Sequence, residues 1–142
     1  MTISINKAIN DFYSSMNMNF IAEPGRYFVE SCYTVVAIVI NKKIIIENNK
    51  KKIIYYLSDG VYGSFNNVIN EHTQLSIKTD NSGLKYTSVL FGPTCDSIDC
   101  IAKDIELPEL NINDPIYIEN MGAYTTACST SFNGFNPITL KN

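Results

Sequence analysis

The chain has 142 residues, 15.9 kDa and 45% hydrophobic side chains, enough for one ordinary domain with one core and short for a complete large metabolic enzyme. Lys and Arg total 11 against 14 Asp and Glu, and the one basic run is Lys50-Lys51-Lys52 with Lys42-Lys43 just upstream. That leaves no basic stripe for a phosphate backbone, so no nucleic-acid partner is expected. The longest apolar run, Val35 to Ile40, is too short to cross a bilayer, and the first ten residues hold no secretion-type apolar stretch. A soluble cytoplasmic protein is therefore expected, with no membrane partner and with Cys32, Cys95, Cys100 and Cys128 as thiols.

From Ile3 to Met16, apolar positions at Ile5, Ala8, Ile9, Phe12 and Met16 recur at steps of three and four, which predicts a helix. Phe20-Ile21-Ala22, ended by Glu23-Pro24-Gly25, predicts a short buried strand entering a polar loop. Helix, strand and loop in that order read as the last unit of a β/α barrel, with functional groups at the strand's carboxyl end. Tyr27 to Ala37 admits a helix despite its β-branched content. Val35 to Ile46 predicts strand broken by a turn at Asn41-Lys42-Lys43, and Lys50 to Lys52 a solvated turn or strand edge. Further strands are predicted at Ile53 to Leu57, Leu75 to Ile77, Tyr86 to Phe91 and Ile116 to Ile118, with weaker ones at Tyr124 to Ser129 and Ile138 to Leu140. Many short β runs separated by turn signals predict a mainly β, closed or partly closed structure. The boundary is expected near Val39 to Glu47, giving a barrel remnant at 1–38 and a β domain at 39–142. One helix and one strand cannot close a barrel, so a second polypeptide is expected to complete the first part.

Four segments could carry chemistry. In Glu23-Pro24-Gly25-Arg26, Gly25 allows close backbone approach, Arg26 offers a planar fork for phosphate or carboxylate, and Glu23 could meet a cationic ring nitrogen. The same residues could equally form a capped turn with an internal Glu-Arg ion pair. Asp59 to Phe65 places glycines around Tyr62 but lacks the GKS or GKT of a nucleotide loop. Gly92-Pro93-Thr94-Cys95-Asp96, with Asp99 beyond, sets a thiol beside an acid; His72 is the sole histidine that could serve it as a base. Gly122-Ala123-Tyr124 could admit a ligand phosphate to a phenol, and Phe132 could be core or interface. One histidine without a spaced ligand cluster predicts no metal site.

AEPGRYFVES at Ala22 to Ser31, YYLSDGVYGSFN at Tyr55 to Asn66, FGPTCDSID at Phe91 to Asp99, LPEL at Leu107 to Leu110 and ENMGAYTTACSTSFNGF at Glu119 to Phe135 together resemble eukaryotic-type ornithine decarboxylase, in the alanine-racemase-like fold family of pyridoxal-phosphate decarboxylases. The resemblance implies a carboxyl-terminal β-barrel-like domain preceded by the end of a cofactor-binding β/α barrel. It also implies a head-to-tail homodimer with active sites at the subunit interface. It places Glu23 on the pyridine nitrogen of pyridoxal 5'-phosphate, Arg26 and Tyr124 on the phosphate, Gly25 among the cofactor-binding residues, and Cys95 on the α-carbon side of the substrate. Asp96 takes the distal ammonium of ornithine, Tyr62 and Asp99 support the dimer interface, and Phe132 packs near the site.

Two departures follow from the same resemblance. The family has Tyr-Asp where this chain has Asn70-Glu71, so Glu71 keeps the charge that meets the distal amine and adds a methylene, which leaves room for another basic amino acid. The lysine that carries the cofactor lies early in the family's barrel, outside this stretch. A fragment or half of a split enzyme is therefore expected, partnered by the missing barrel part or by a full-length decarboxylase subunit and inactive alone. A noncatalytic regulator of the antizyme-inhibitor type is the alternative.

Overall fold

The computed structural model describes residues 2–71 and 75–136, so His72 and the expected strand at Ile138 to Leu140 lie outside the described residues. The elements run α1 (Thr2–Tyr13), α2 (Gly25–Val29), a 3-10 turn (Glu30–Cys32), β1 (Val35–Glu47), β2 (Lys50–Leu57), α3 (Asn66–Asn70), β3 (Ile77–Thr79), β4 (Lys85–Phe91), β5 (Cys100–Pro108) and β6 (Pro115–Ile118). Two further 3-10 turns lie at Thr126–Cys128 and Phe132–Gly134.

The six strands form one sheet in the order β3-β6-β1-β2-β4-β5, a curled half-barrel. Only the β2/β4 pair is parallel, and its return runs through α3 and β3. β1 makes the curl. Val35 to Ile38 pair with β6, whereas the rest of the strand pairs with β2, and the register shifts between Val39 and Asn41. A bulge of this kind bends a strand and raises its twist, so one long strand serves two neighbours on different sides.

Alternation follows the core. Val35, Ala37 and Val39 of β1 and Ile53, Tyr55 and Leu57 of β2 point inward with Leu90, Ile101, Leu107, Ile116 and Ile118. Phe65, Leu110 and Met121 close the cluster from the loops. Tyr55 is fully buried, and its hydroxyl accepts from Leu110 N at 3.0 Å, which fixes the loop between β5 and β6.

Several expectations need correction. Asn41-Lys42-Lys43 is strand, not turn: Lys42 sends its ammonium to Glu109 Oε1 (3.2 Å) and Leu110 O (2.9 Å), so the polar run has partners beyond the sheet. The reversal falls at Asn48-Asn49, both at positive φ (50° and 59°), a two-residue hairpin whose backbone matches strand twist. Phe20-Ile21-Ala22 is exposed coil, with Ile21 89% accessible, because no neighbouring strand among the described residues hydrogen-bonds it. Tyr124 to Ser129 holds a 3-10 turn rather than a strand. The Tyr27 to Ala37 stretch divides into a short helix, a 3-10 turn and the start of β1. β5 was not foreseen, since Lys103-Asp104 interrupts its alternation; the register slips there and Asp104 takes φ 53°.

Asp99 ties two loops to the sheet. It is fully buried, accepts from Val61 N (2.8 Å) on Oδ1 and takes Thr94 N (3.0 Å) and Thr94 Oγ1 (2.7 Å) on Oδ2. A Cβ added at Gly60 or Gly92 would lie 2.1 or 2.2 Å from its Oδ1, so neither position has room for a side chain. Asp59, also buried, accepts from Gly60 N (2.8 Å) and Ser64 N (3.2 Å).

Asp99→Ala strands one buried and two part-buried donors and is expected to cost about 3–5 kcal/mol, and Tyr55→Phe, which strands Leu110 N, about 1–2 kcal/mol; urea unfolding followed by tyrosine fluorescence measures both. Burial pushes the Asp59 carboxyl up, so the folded chain binds a proton more readily than the unfolded one there. Its contribution to stability therefore grows as pH falls through the raised folded value and levels off below the ordinary carboxyl value. The stability of the wild type relative to Asp59→Asn is expected to rise on mild acidification, and a pH-independent difference would contradict this.

Candidate active site

The structure gathers the expected residues into two groups. The first surrounds Arg26 in the first turn of α2. Its Nη1 donates to Glu30 Oε1 at 2.8 Å, one helical turn on, and its Nη2 pairs with Glu71, which caps α3 forty-five residues away. The guanidinium carbon lies 5.1 Å from the Tyr124 ring centroid, within cation–π range. Arg26 is half-buried, and the paired carboxylates hold its protonated form more firmly still, Glu30 contributing most. Glu23, the ion-pair partner considered from sequence, is exposed and does not engage Arg26; its carbonyl accepts from Gly25 N at 2.8 Å. Gly25 is open, with nothing within 4 Å of an added Cβ.

Tyr124 reaches Arg26 through backbone geometry. Met121 N donates to Tyr33 O (3.0 Å) and Gly122 N to Glu30 O (2.9 Å), so the segment after β6 lies directly on the α2 turn. Only glycine permits this at 122, because a Cβ would sit 1.7 Å from Val29 O. Tyr124 itself adopts φ 53°, a left-handed conformation that non-glycine residues adopt at a cost of about 1 kcal/mol. Asn66 braces the turn by donating to Thr125 O (2.6 Å) and Gly63 O (2.7 Å), and Thr125 Oγ1 donates to Met121 O (2.5 Å). The Tyr124 hydroxyl has no hydrogen-bond partner among the described residues, which leaves it free to donate to a ligand oxygen.

The second group sits at the tip of the loop that Asp99 folds back. Gly92 N donates to Asp99 O (2.8 Å) and Asp99 N to Asp96 O (3.0 Å), so Cys95 and Asp96 occupy the turn of a closed loop. Asp96 accepts from Ile98 N (3.0 Å) and from the Tyr62 hydroxyl (2.5 Å), which hold its carboxyl below the usual range, while Asp96 pushes the Tyr62 phenol up. Tyr62 stacks on Phe132 with centroids 4.1 Å apart, and Asn133 Nδ2 lies 3.9 Å from Cys95 Sγ. A cavity of about 50 Å³ between Tyr62, Thr94, Asp99 and Phe132 lies beneath this group. Cys95 is exposed and all four cysteines are free thiols.

The sequence therefore named the members of both groups but not their second partners. Glu30, Thr94 and the steric demand of Asp99 on Gly60 and Gly92 were missed. Of these only Glu30 left a signal, its spacing of four from Arg26 in a stretch that admits a helix. No helix among the described residues is long and apolar enough to cross a membrane.

Comparison with known proteins identifies the sheet. Residues 4–122 match the family described as pyridoxal-dependent decarboxylase, C-terminal sheet domain. The chain is 45% identical over 136 residues to a probable ornithine decarboxylase of Dictyostelium discoideum (87% of this chain, 30% of the relative) and 43% identical over 144 residues to antizyme inhibitor 2 of Xenopus laevis (92% and 32%). The lysine/ornithine decarboxylase of Vibrio vulnificus, solved with cadaverine, superposes with a TM-score of 0.78 at 38% identity, covering 95% of this chain and 35% of that one. The chain thus spans about a third of the length of these relatives. It belongs to the pyridoxal-dependent decarboxylase family, and the part of that family it represents is the carboxyl-terminal sheet domain.

Proposed function

We propose that this chain forms the carboxyl-terminal part of a pyridoxal-phosphate-dependent decarboxylase of basic amino acids, with L-ornithine, giving putrescine, as the leading substrate. The observation that carries the reading is the convergence of Arg26, Glu71 and Tyr124 from three separate segments, together with a second loop that presents Cys95 and Asp96. The donor chemistry fits the cofactor's phosphate end: a guanidinium beside a free phenol. Glu23, exposed at the mouth of the same turn, fits a ring nitrogen. No lysine joins either group among the described residues, so the lysine that carries the cofactor comes from the barrel part.

When bound, the cofactor supplies the electron sink that accepts the pair left by departing carbon dioxide. Glu23 keeps a proton on the ring nitrogen. Arg26 and Tyr124 anchor the phosphate oxygens. Asp96, already ionised and oriented by Tyr62, receives the distal ammonium of the substrate together with Glu71. Cys95 holds a proton at Sγ for return to the α-carbon. The resemblance to the decarboxylases sends Cys95 and Asp96 into the partner subunit's site, so in this reading the two groups serve two active sites of a head-to-tail dimer, with Tyr62, Asp99 and Phe132 shaping the contact. The division at 1–38 and 39–142 is part of the same proposal, although β1 itself runs unbroken through position 38. No described residue before Val35 is buried, and Ile3, Phe12, Ile21 and Phe28 are each more than two-thirds exposed, which supports a further stretch of protein covering this part.

Similarity to antizyme inhibitor 2 supports a second reading, a noncatalytic chain that binds decarboxylase subunits. The presence together of Glu23, Arg26, Cys95, Asp96 and Tyr124 favours the first.

Purified chain mixed with pyridoxal phosphate and ornithine is expected to release no carbon dioxide above background. Co-expression with a barrel-bearing decarboxylase fragment is expected to restore turnover; a stable complex without turnover would support the regulator instead. In the completed enzyme Asp96→Ala is expected to lower kcat/KM about 30- to 150-fold, the equivalent of about 2–3 kcal/mol for a lost charge-assisted contact. Shortening Glu71 to Asp is expected to alter the ornithine-to-lysine ratio of kcat/KM, and an unchanged ratio would remove Glu71 from the specificity argument.

A further inference from the structure

Arg26 brings one positive charge to the phosphate end of the proposed site, and Glu30 and Glu71 bring two negative charges to the same guanidinium. One N–H of each terminal nitrogen is engaged, so an anion arriving at Arg26 meets a donor set shared with two carboxylates and a local charge balance of minus one. The two carboxylates are not held alike. Glu71 comes from the end of α3, whereas Glu30 sits one helical turn beyond Arg26 and its carbonyl is fixed by Gly122 N at 2.9 Å. Gly122 lies directly against Val29, where a Cβ would have no room, so the two backbones sit side by side. The Glu30 backbone is therefore anchored beside the Tyr124 turn, and from there its carboxylate reaches Nη1 of Arg26.

We infer that Glu30 is a positioning residue for anion capture: it holds Nη1 of Arg26 in place over Tyr124 and lowers the affinity of that guanidinium for a phosphate group. The inference rests on the reading of Arg26 as the phosphate anchor and adds to it a residue outside the motif. An ordinary helix-surface pair would stabilise α2 slightly and no more. The two roles differ in sign. If Glu30 only supports α2, its removal loosens Arg26 and phosphate binds no better. If it competes for the guanidinium, neutralising it makes phosphate bind more tightly.

Arg26 is the sole arginine in the sequence, so its Nε–Hε group gives one side-chain signal of its kind in a nitrogen-15 spectrum of the whole chain. Inorganic phosphate is titrated into the wild type, Glu30→Gln and Glu30→Ser, each checked for a dispersed, folded spectrum, with sodium chloride at matched ionic strength as the control. The expected result is a saturable shift of the Arg26 signal and a dissociation constant lower in both variants by about three- to ten-fold, the scale of one unit charge removed at roughly 4 Å in water. That difference should shrink as salt is raised. A responsive Arg26 signal with unchanged or weaker affinity in the variants overturns the role of Glu30 and leaves the phosphate anchor standing. A signal indifferent to phosphate in all three proteins overturns both.

Discussion

A carboxylate with no described cation beside it organises the half of the molecule that carries Cys95 and Asp96. Asp99 takes three donors from two loops, and Gly60 and Gly92 are glycines because its oxygens occupy the space where their side chains would be. Hydrogen bonds to a charged acceptor are each worth about 1.5–3 kcal/mol net, which offsets the entropy of ordering the loop backbone. Val61 and Thr94, which donate to Asp99, each sit one residue from a side chain of the proposed site. Tyr62 follows Val61 and Cys95 follows Thr94, so the stacked Tyr62–Phe132 pair and the Cys95–Asp96 tip inherit their positions from a buried acid.

The Arg26 half depends instead on the curl of the sheet. The bulge in β1 lets its first residues pair with β6 while the remainder pairs with β2. β6 leads straight into Met121 and Gly122, so the direction of that strand decides where the Tyr124 turn emerges. Gly122 then removes the last obstacle by letting two backbones touch. Shift β6 by one residue and its inward and outward faces exchange, burying Tyr117 in place of Ile116 and Ile118. The register that fills the core is thus the one that brings Tyr124 over Arg26.

What the sequence made legible follows from how local each signal is. The two-residue alternation of Ile53 to Leu57 and the three-four spacing from Ile5 to Met16 are local, and both elements are present. The motif residues were also legible, because each site segment is continuous in sequence. Lys42 misled, since a charged run reads as a turn unless Glu109, 67 residues on, is known to receive it. β5 was hidden by Lys103-Asp104, where a bulge absorbs two polar residues that a flat strand would not tolerate so readily. Phe20-Ile21-Ala22 has strand composition and no strand partner, a case where the pattern describes what a longer polypeptide could do with these residues. The glycine-acid lock around Asp99 and the Glu30 contact to Arg26 are properties of packing, and no spacing rule announces the first of them.

These two halves differ in how much of their geometry the chain supplies. The Cys95–Asp96 loop is closed on itself, fixed through a buried acid and backed by Tyr62. The arm that carries Arg26 is joined to the sheet, among the described backbone groups, by the Tyr33–Met121 and Glu30–Gly122 hydrogen bonds, to which the half-exposed Arg26–Glu71 pair adds about 1 kcal/mol or less. A binding constellation has to be held within about 0.5 Å to work, and that takes packing on more than one side. The polypeptide that completes the proposed enzyme therefore has two unequal tasks. It must cover the apolar residues of α1 and the Phe20–Phe28 stretch, and in doing so fix the arm on which Glu23 and Arg26 sit. It need only approach the Cys95–Asp96 loop, whose shape is already set before any partner arrives.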